Sequence, residues 1–324
     1  MAERPPIQLI FDTDIGGDCD DAGALALIHR LCDRGEAELL AVTHCANSPY
    51  FAGCIDAINR FYGRTVPLGV NFAQPSGGMA FRSAYAADLC ESFPNRYPPA
   101  LHGTPDGPED SLALLRRILA ASDDGNITLA VTGTLATMER LIRSGPDALS
   151  PLTGRELVER KICRTVMMGG RFFESWPMVL YESGIPTHHV MTWEYNIRES
   201  GYDTAAAVFA DWPGELVLSS YEIGSFIVSM VGYGGRAAPG DPVAMAYLKN
   251  NSADAGRCSW DHTAILEAVR PGRYWHLHEF GRISVDRDMV THWSRCPGGK
   301  HTYLLPKADY GEIRQVIDDL VDGR

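Results

Sequence analysis

Gln8-Leu9-Ile10-Phe11-Asp12-Thr13-Asp14-Ile15-Gly16-Gly17-Asp18-Cys19-Asp20-Asp21-Ala22 is the stretch on which the fold turns. Gln8 to Phe11 is a mainly apolar run of strand length, and Ala22 to Cys32 continues in helix formers. A buried strand that passes through a turn into a helix opens a βαβ unit. Five carboxylates fall within ten residues of that turn and repel one another. At the carboxyl end of a parallel strand they gather where open α/β sheets bind ligands. The positive end of the following helix offsets one or two of them. A hard divalent cation accounts for the rest, because carboxylate oxygens are what calcium and magnesium prefer. The competing reading is a solvated acidic turn with Asp18 or Asp20 as the helix N-cap.

Further apolar runs follow at regular intervals. Leu39 to Thr43, Thr65 to Val70, Ile127 to Val131, Lys161 to Met168 and Glu215 to Leu218 read as strands. The second of these is weakened by Pro67 and Gly69. Asp110 to Ala121 and Ala136 to Ile142 read as helices. This alternation predicts an α/β chain with a mostly parallel, Rossmann-like sheet covered on both faces. No composition break divides residues 1–324, so a single domain is expected. Residues 92–109, with five prolines, and 171–192 read as long ordered loops.

Composition narrows the partners. The 324 residues carry a net charge of -12 and no Lys/Arg cluster longer than a pair, which excludes the basic stripe a nucleic-acid binder needs. No apolar stretch approaches the roughly 18 residues of a membrane span, and the start of the chain does not read as a secretory signal. Eight scattered cysteines without a CxxC fit a reducing cytoplasm. A small neutral substrate or a cation suits the acidic balance. There is no Walker A motif, no dinucleotide GxGxxG after a strand and no GxSxG elbow. An EF-hand loop from Asp12 would need a glutamate where Gly23 stands. A DxD phosphatase would carry Thr or Val where Gly16 stands, and is the nearest rival for this segment. His276 and His278 share a strand face without a third zinc ligand nearby.

With the turn and these runs in place, the chain resembles the nucleoside hydrolase family, whose first strand ends in DTDPGxDDA. Here Asp12-Thr13-Asp14-Ile15-Gly16 and Asp20-Asp21-Ala22 match it, with two extra residues between and Ile15 for proline. Ala41 to Asn47 resembles the second strand, Thr132 to Thr137 resembles TGPLTN, and Val166 to Gly170 resembles VMGG. Trp193-Glu194-Tyr195-Asn196 resembles AEFN, and Ser259 to Ala264 the late HDPxA segment. His102 to Gly107 is a looser echo of an HGxxG loop.

The resemblance implies a nucleoside hydrolase fold, one Ca²⁺, a small-molecule nucleoside substrate, a role in nucleoside salvage and a dimer or tetramer. Carried over by position, Asp14, Asp21 and Asp261 would give carboxylate oxygens to calcium, and Thr132 its main-chain carbonyl. Asp20 and Asn47 would hold ribose hydroxyls. Glu194 and Asn196 would bind the far side of the sugar, with Met168 packing nearby. His188 stands where the family has an asparagine six residues before the glutamate; it touches the ribose or base, or is a surface histidine. Trp260 replaces the histidine of inosine- and uridine-taking members, which leans the reading toward purine ribonucleosides if it stacks on the base rather than packing in the core. Asp14 is the natural general base beside a cation-activated water. The second reading is a catalytically silent relative that binds calcium and ribosides.

Overall fold

A computed structural model describes residues 5–75, 85–93, 97, 107–172, 178–182, 185–189 and 192–324, with the backbone alone for the two short strands between 178 and 189. Among the described residues nine strands form the main sheet: β1 (Ile7–Thr13), β2 (Ala37–His44), β3 (Leu68–Val70), β4 (Glu109–Asp110), β5 (Ile127–Val131), β6 (Ile162–Met168), and later β9 (Leu216–Ser219), β12 (Trp275–Leu277) and β15 (His301–Pro306). Between β6 and β9 lie β7 (Met178–Glu182) and β8 (Ile185–His189); β10 (Val228–Ser229) and β11 (Arg257–Cys258) form another pair, as do β13 (Arg282–Val285) and β14 (Thr291–Ser294).

The order across the main sheet is β12-β15-β9-β6-β5-β1-β2-β3-β4. Every pairing in it is parallel except β12 with β15. The chain moves outward from β1 through β2, β3 and β4, then returns to the other side of β1 as β5. The strand order therefore reverses beside β1, and a crevice opens outside the carboxyl ends of β1 and β5.

Alternate residues of each strand feed opposite cores, which is why the strands read as unbroken apolar runs. Leu9 and Phe11 of β1 and Val166 of β6 enter one core with the helices Asp20–Asp33, Phe51–Phe61, Trp260–Val269 and Tyr310–Val321. Ile10, Leu129 and Met167 enter the other, with the helices Ser111–Ala121, Ala136–Arg143 and Tyr202–Asp211.

Most of the expected elements appear within two residues of their expected ends, and Ile127–Val131 coincides. The run from Thr65 to Val70 forms a strand only from Leu68, although the Pro67 carbonyl already accepts the Val42 N–H at 3.0 Å. Residues 171–192, expected as a loop, contain the antiparallel pair β7–β8. Most of the Pro-rich 92–109 stretch, including the His102 echo, lies outside the described residues. The eight cysteines form no disulfide. Among the described residues no helix is long and apolar enough to cross a membrane.

Candidate active site

The acidic turn after β1 is held on several sides. The His44 imidazole stacks on Phe51 at 3.7 Å, accepts the Ala46 N–H and donates from Nε2 to the Ile15 carbonyl at 3.1 Å. Burial pushes its pKa down to about 4, so the ring is neutral. Tyr85 reaches in from the helix Tyr85–Ser92: its hydroxyl accepts the Gly16 N–H at 2.6 Å and donates to the Asp18 carbonyl at 2.7 Å. Gly16 has φ +119°, and a Cβ there would stand 2.9 Å from the Phe51 ring, so only glycine fits.

The helix begins earlier than its apolar pattern indicates, at Asp20. The N-cap residue is Cys19, with no side-chain cap, so neither Asp18 nor Asp20 plays the part the competing reading assigns it. Asp20 and Asp21 instead occupy the first helical turn, where the backbone dipole favours negative charge. Asp261 occupies the same place on the helix Trp260–Val269. Its backbone N–H donates to Asp20 Oδ2 at 3.3 Å, tying the two helix starts together.

Asp20, Asp21 and Asp261 each offer an oxygen within 4.8 Å of the others, and all three are buried. The Thr13 and Thr132 hydroxyls donate to Asp21 Oδ1 at 2.5 and 3.2 Å and orient that carboxylate. Asp14 lines the same cavity and is 7% exposed. Burial, then Asp21 and Asp20, push the Asp14 carboxyl well above its ordinary range. Burial and neighbouring acids do the same to Asp20 and Asp261, and burial lifts Asp21 to about 6. Four crowded carboxyls of this kind suit a hard cation with oxygen ligands. Asp12 stands apart: it accepts from the Thr43 hydroxyl at 2.5 Å and does not line the cavity.

The cavity above these acids has a volume of about 380 Å³. Met168 and Asn196 form one side of it. Asn196 Nδ2 donates to the Thr132 carbonyl at 2.7 Å, which binds the wall to the end of β5. Glu194 also lines the cavity, but its oxygens serve the backbone. As N-cap of the helix Tyr195–Ser200 it accepts from the N–H groups of Asn196 at 2.8 Å and Ile197 at 3.1 Å, and from Gly170 at 3.3 Å. The carboxylate expected at the sugar therefore also caps a helix, a duty that sequence spacing could not reveal. Burial lifts its pKa to about 7.

The opposite wall is aromatic. Trp260 lines the cavity while packing against the core behind it. Its Nε1 donates to the Tyr221 carbonyl at 3.1 Å and the Ser225 hydroxyl at 3.0 Å, and its ring stacks on Tyr221 at 5.4 Å. Arg257 closes the rim: its guanidinium lies 5.0 Å from the Trp260 ring and pairs through Nε and Nη2 with Asp18.

Asn47 is absent from the described lining; it is half-buried, and its N–H donates to the Gln74 carbonyl. His188 falls on β8, where side chains lie outside the described residues. Tyr221 and Arg257 escaped the reading of the sequence. Tyr221 lies two residues beyond the carboxyl end of β9, a position that marks a binding residue in a parallel sheet. Arg257 gives no such signal, because its partner is 239 residues away. His276 is exposed and His278 stacks on Tyr303 at 4.6 Å, so among the described residues the aspartate trio is the one group with metal-ligand spacing.

No family model and no curated protein matches the sequence. Solved structures do match. The inosine-uridine preferring nucleoside hydrolase from Bacillus anthracis is 17% identical with a TM-score of 0.67, over 98% of this chain and 99% of that one. The purine-preferring ribonucleoside hydrolase from Gardnerella vaginalis is 15% identical with a TM-score of 0.67, over 98% of each chain. The type III effector protein XopQ, solved with adenosine diphosphate ribose, is 13% identical with a TM-score of 0.69, over 99% of this chain and 94% of that one. Identities this low speak for architecture, and the architecture they identify over the whole length of the chain is the nucleoside hydrolase fold.

Proposed function

We propose that the protein is a calcium-dependent hydrolase of ribonucleosides, yielding ribose and free base, with a purine preferred. The observation that carries this reading is the meeting of Asp20 and Asp21 with Asp261, from opposite ends of the chain, within one cation's reach beneath an aromatic-walled cavity. The donors are all hard oxygens, which suits Ca²⁺. Asp14, Asp21 and Asp261 would hold it with the Thr132 carbonyl, and Asp20 would stand beside them. The ion, when bound, supplies a Lewis acid that acidifies water and grips a vicinal diol.

The remaining work falls to the chain's own side chains. Asp14 takes the proton of the attacking water as general base. Asp20 accepts from ribose hydroxyls. Asn196 has committed Nδ2 to Thr132, which leaves its amide oxygen to accept from a sugar hydroxyl. The acidic floor stabilises the positive charge that develops on the ribose carbon and ring oxygen. Trp260 and Tyr221 present faces for a planar base and exclude water.

A reducing-sugar assay with inosine, guanosine and uridine, with and without chelator, tests the proposal. Ribose release should vanish on chelation, return with added Ca²⁺ and favour the purines. A clear preference for uridine would remove the purine assignment. The silent-relative reading draws support from Glu194, whose oxygens are occupied by the backbone. Cation binding without ribose release from any nucleoside would decide for it.

A further inference from the structure

Arg257 is the one basic residue among the described lining of the cavity, and its setting is built rather than incidental. Its Nε and Nη2 hold Asp18, and Asp18 lies at the centre of Gly17-Asp18-Cys19, three residues where the motif that the turn resembles has one. The guanidinium plane is further held by the Trp260 ring at 5.0 Å. This side-on pairing leaves Nη1, at the end of the fork, without a hydrogen bond to any described residue. Because Asp18 cancels the charge, the pair is a directed donor without net attraction for a phosphate. The four aspartates below it reinforce that exclusion.

We propose that Arg257 reads the base and stabilises it as it leaves, making 6-oxopurine ribonucleosides the substrate class. The inference rests on the hydrolase reading above. A guanidinium fork matches the paired acceptors O6 and N7 of hypoxanthine and guanine, whereas adenine presents a donor at N6. When the C1′–N9 bond breaks, its electron pair goes to the purine and negative charge spreads onto those acceptors. The water oxygen bonds to C1′, its proton goes to Asp14, and the departed purine is protonated by solvent. Arg257 gives up no proton; its pKa is far too high for that. It stabilises charge through fixed donors.

The test compares wild type, Arg257→Gln and Arg257→Lys on inosine, adenosine and 4-nitrophenyl riboside, whose leaving group needs no assistance. Wild type should favour inosine over adenosine. Arg257→Gln should lose about tenfold to a hundredfold in kcat/KM on inosine, the worth of one bidentate pair. It should change little on the nitrophenyl substrate and narrow the inosine-to-adenosine ratio, since an amide suits adenine's N6 and N7. Arg257→Lys keeps the charge beside Asp18 but lacks the fork, and should also fall on inosine. Equal losses on inosine and the nitrophenyl riboside, or a wild type indifferent to inosine and adenosine, would overturn the assignment to Arg257 alone. A wild type inert on all three would overturn the hydrolase reading and this one with it.

Discussion

Asp12 and Asp14 stand two residues apart on the same strand end, yet only Asp14 faces the cavity. Burial lifts the Asp12 carboxyl to about 7, and the Thr43 hydroxyl donates to its Oδ1. The two residues should therefore respond differently to the same chemistry. Asp14→Asn should cost about 10²–10⁴ in kcat, the ordinary worth of a general base, with little change in KM. Asp12→Asn should leave kcat within a few-fold of wild type. Steady-state kinetics on inosine separates them, and an Asp14→Asn rate near wild type would remove that residue from the proton transfer. Much at this scale is legible in the sequence. Asp14, Asp20, Asp21, Thr132, Met168, Glu194, Asn196, Trp260 and Asp261 can each be singled out from motif positions, and they do line one cavity. What escapes is the detailed duty of each, because Glu194's contacts depend on the helix starting at Tyr195.

At the scale of elements, the helices Asp20–Asp33 and Trp260–Val269 carry the acids, and they touch through Gly23 and His262. A Cβ on Gly23 would stand 2.4 Å from His262 Nε2 and 2.9 Å from the Tyr247 hydroxyl. Gly23→Ala should consequently destabilise the fold by about 1–3 kcal/mol, the usual cost of overpacking, as read from urea unfolding. An unchanged midpoint would mean that the helices separate without penalty. Tyr85 makes a second such link, between the turn and the helix Tyr85–Ser92. Removing its hydroxyl in Tyr85→Phe leaves a buried N–H and a carbonyl unsatisfied, which should cost about 1–3 kcal/mol. A variant as stable as wild type would show the turn held without it. Elements with long, uniform periods are easily read, as Ile127–Val131 demonstrates. The β7–β8 pair is harder, although Ser183-Gly184 between two runs is a hairpin signal. Pro186 within the second run argues against a strand, yet it stands opposite Tyr181 in this two-stranded pair, at an edge where proline is tolerated.

For the whole molecule, the pattern of strands and helices discloses a parallel sheet, while the antiparallel edge strand β12 rests on contacts with β15 that no local pattern announces. The helix Trp260–Val269 spans the layer from the acid site to Glu267, which accepts from the Gly272 N–H and pairs with Arg164 at 3.2 Å. Arg164 is shared with Glu215 at 2.6 Å, and desolvation prevails: the Glu267 carboxyl rises from 4.5 to about 7. A raised folded-state pKa favours the native state below about pH 4.5, and that advantage is lost as pH climbs through 7. Glu267→Gln should remove this dependence. Its melting temperature should fall less than that of wild type between pH 5 and pH 8, with a stability difference of up to about 3 kcal/mol at the alkaline end. Parallel curves for the two proteins would mean that Glu267 ionises in place without penalty.

The clasp between Asp18 and Arg257 ties an insertion to a residue most of the chain away. Deleting Gly17 and Asp18 would strand a guanidinium beside Trp260, while losing the arginine would leave a longer turn with an idle acid. Neither change is cheap alone, so descent should transmit them together. Homologues with the shorter turn are expected to carry something other than arginine at this place, and those that keep both should share a taste in bases.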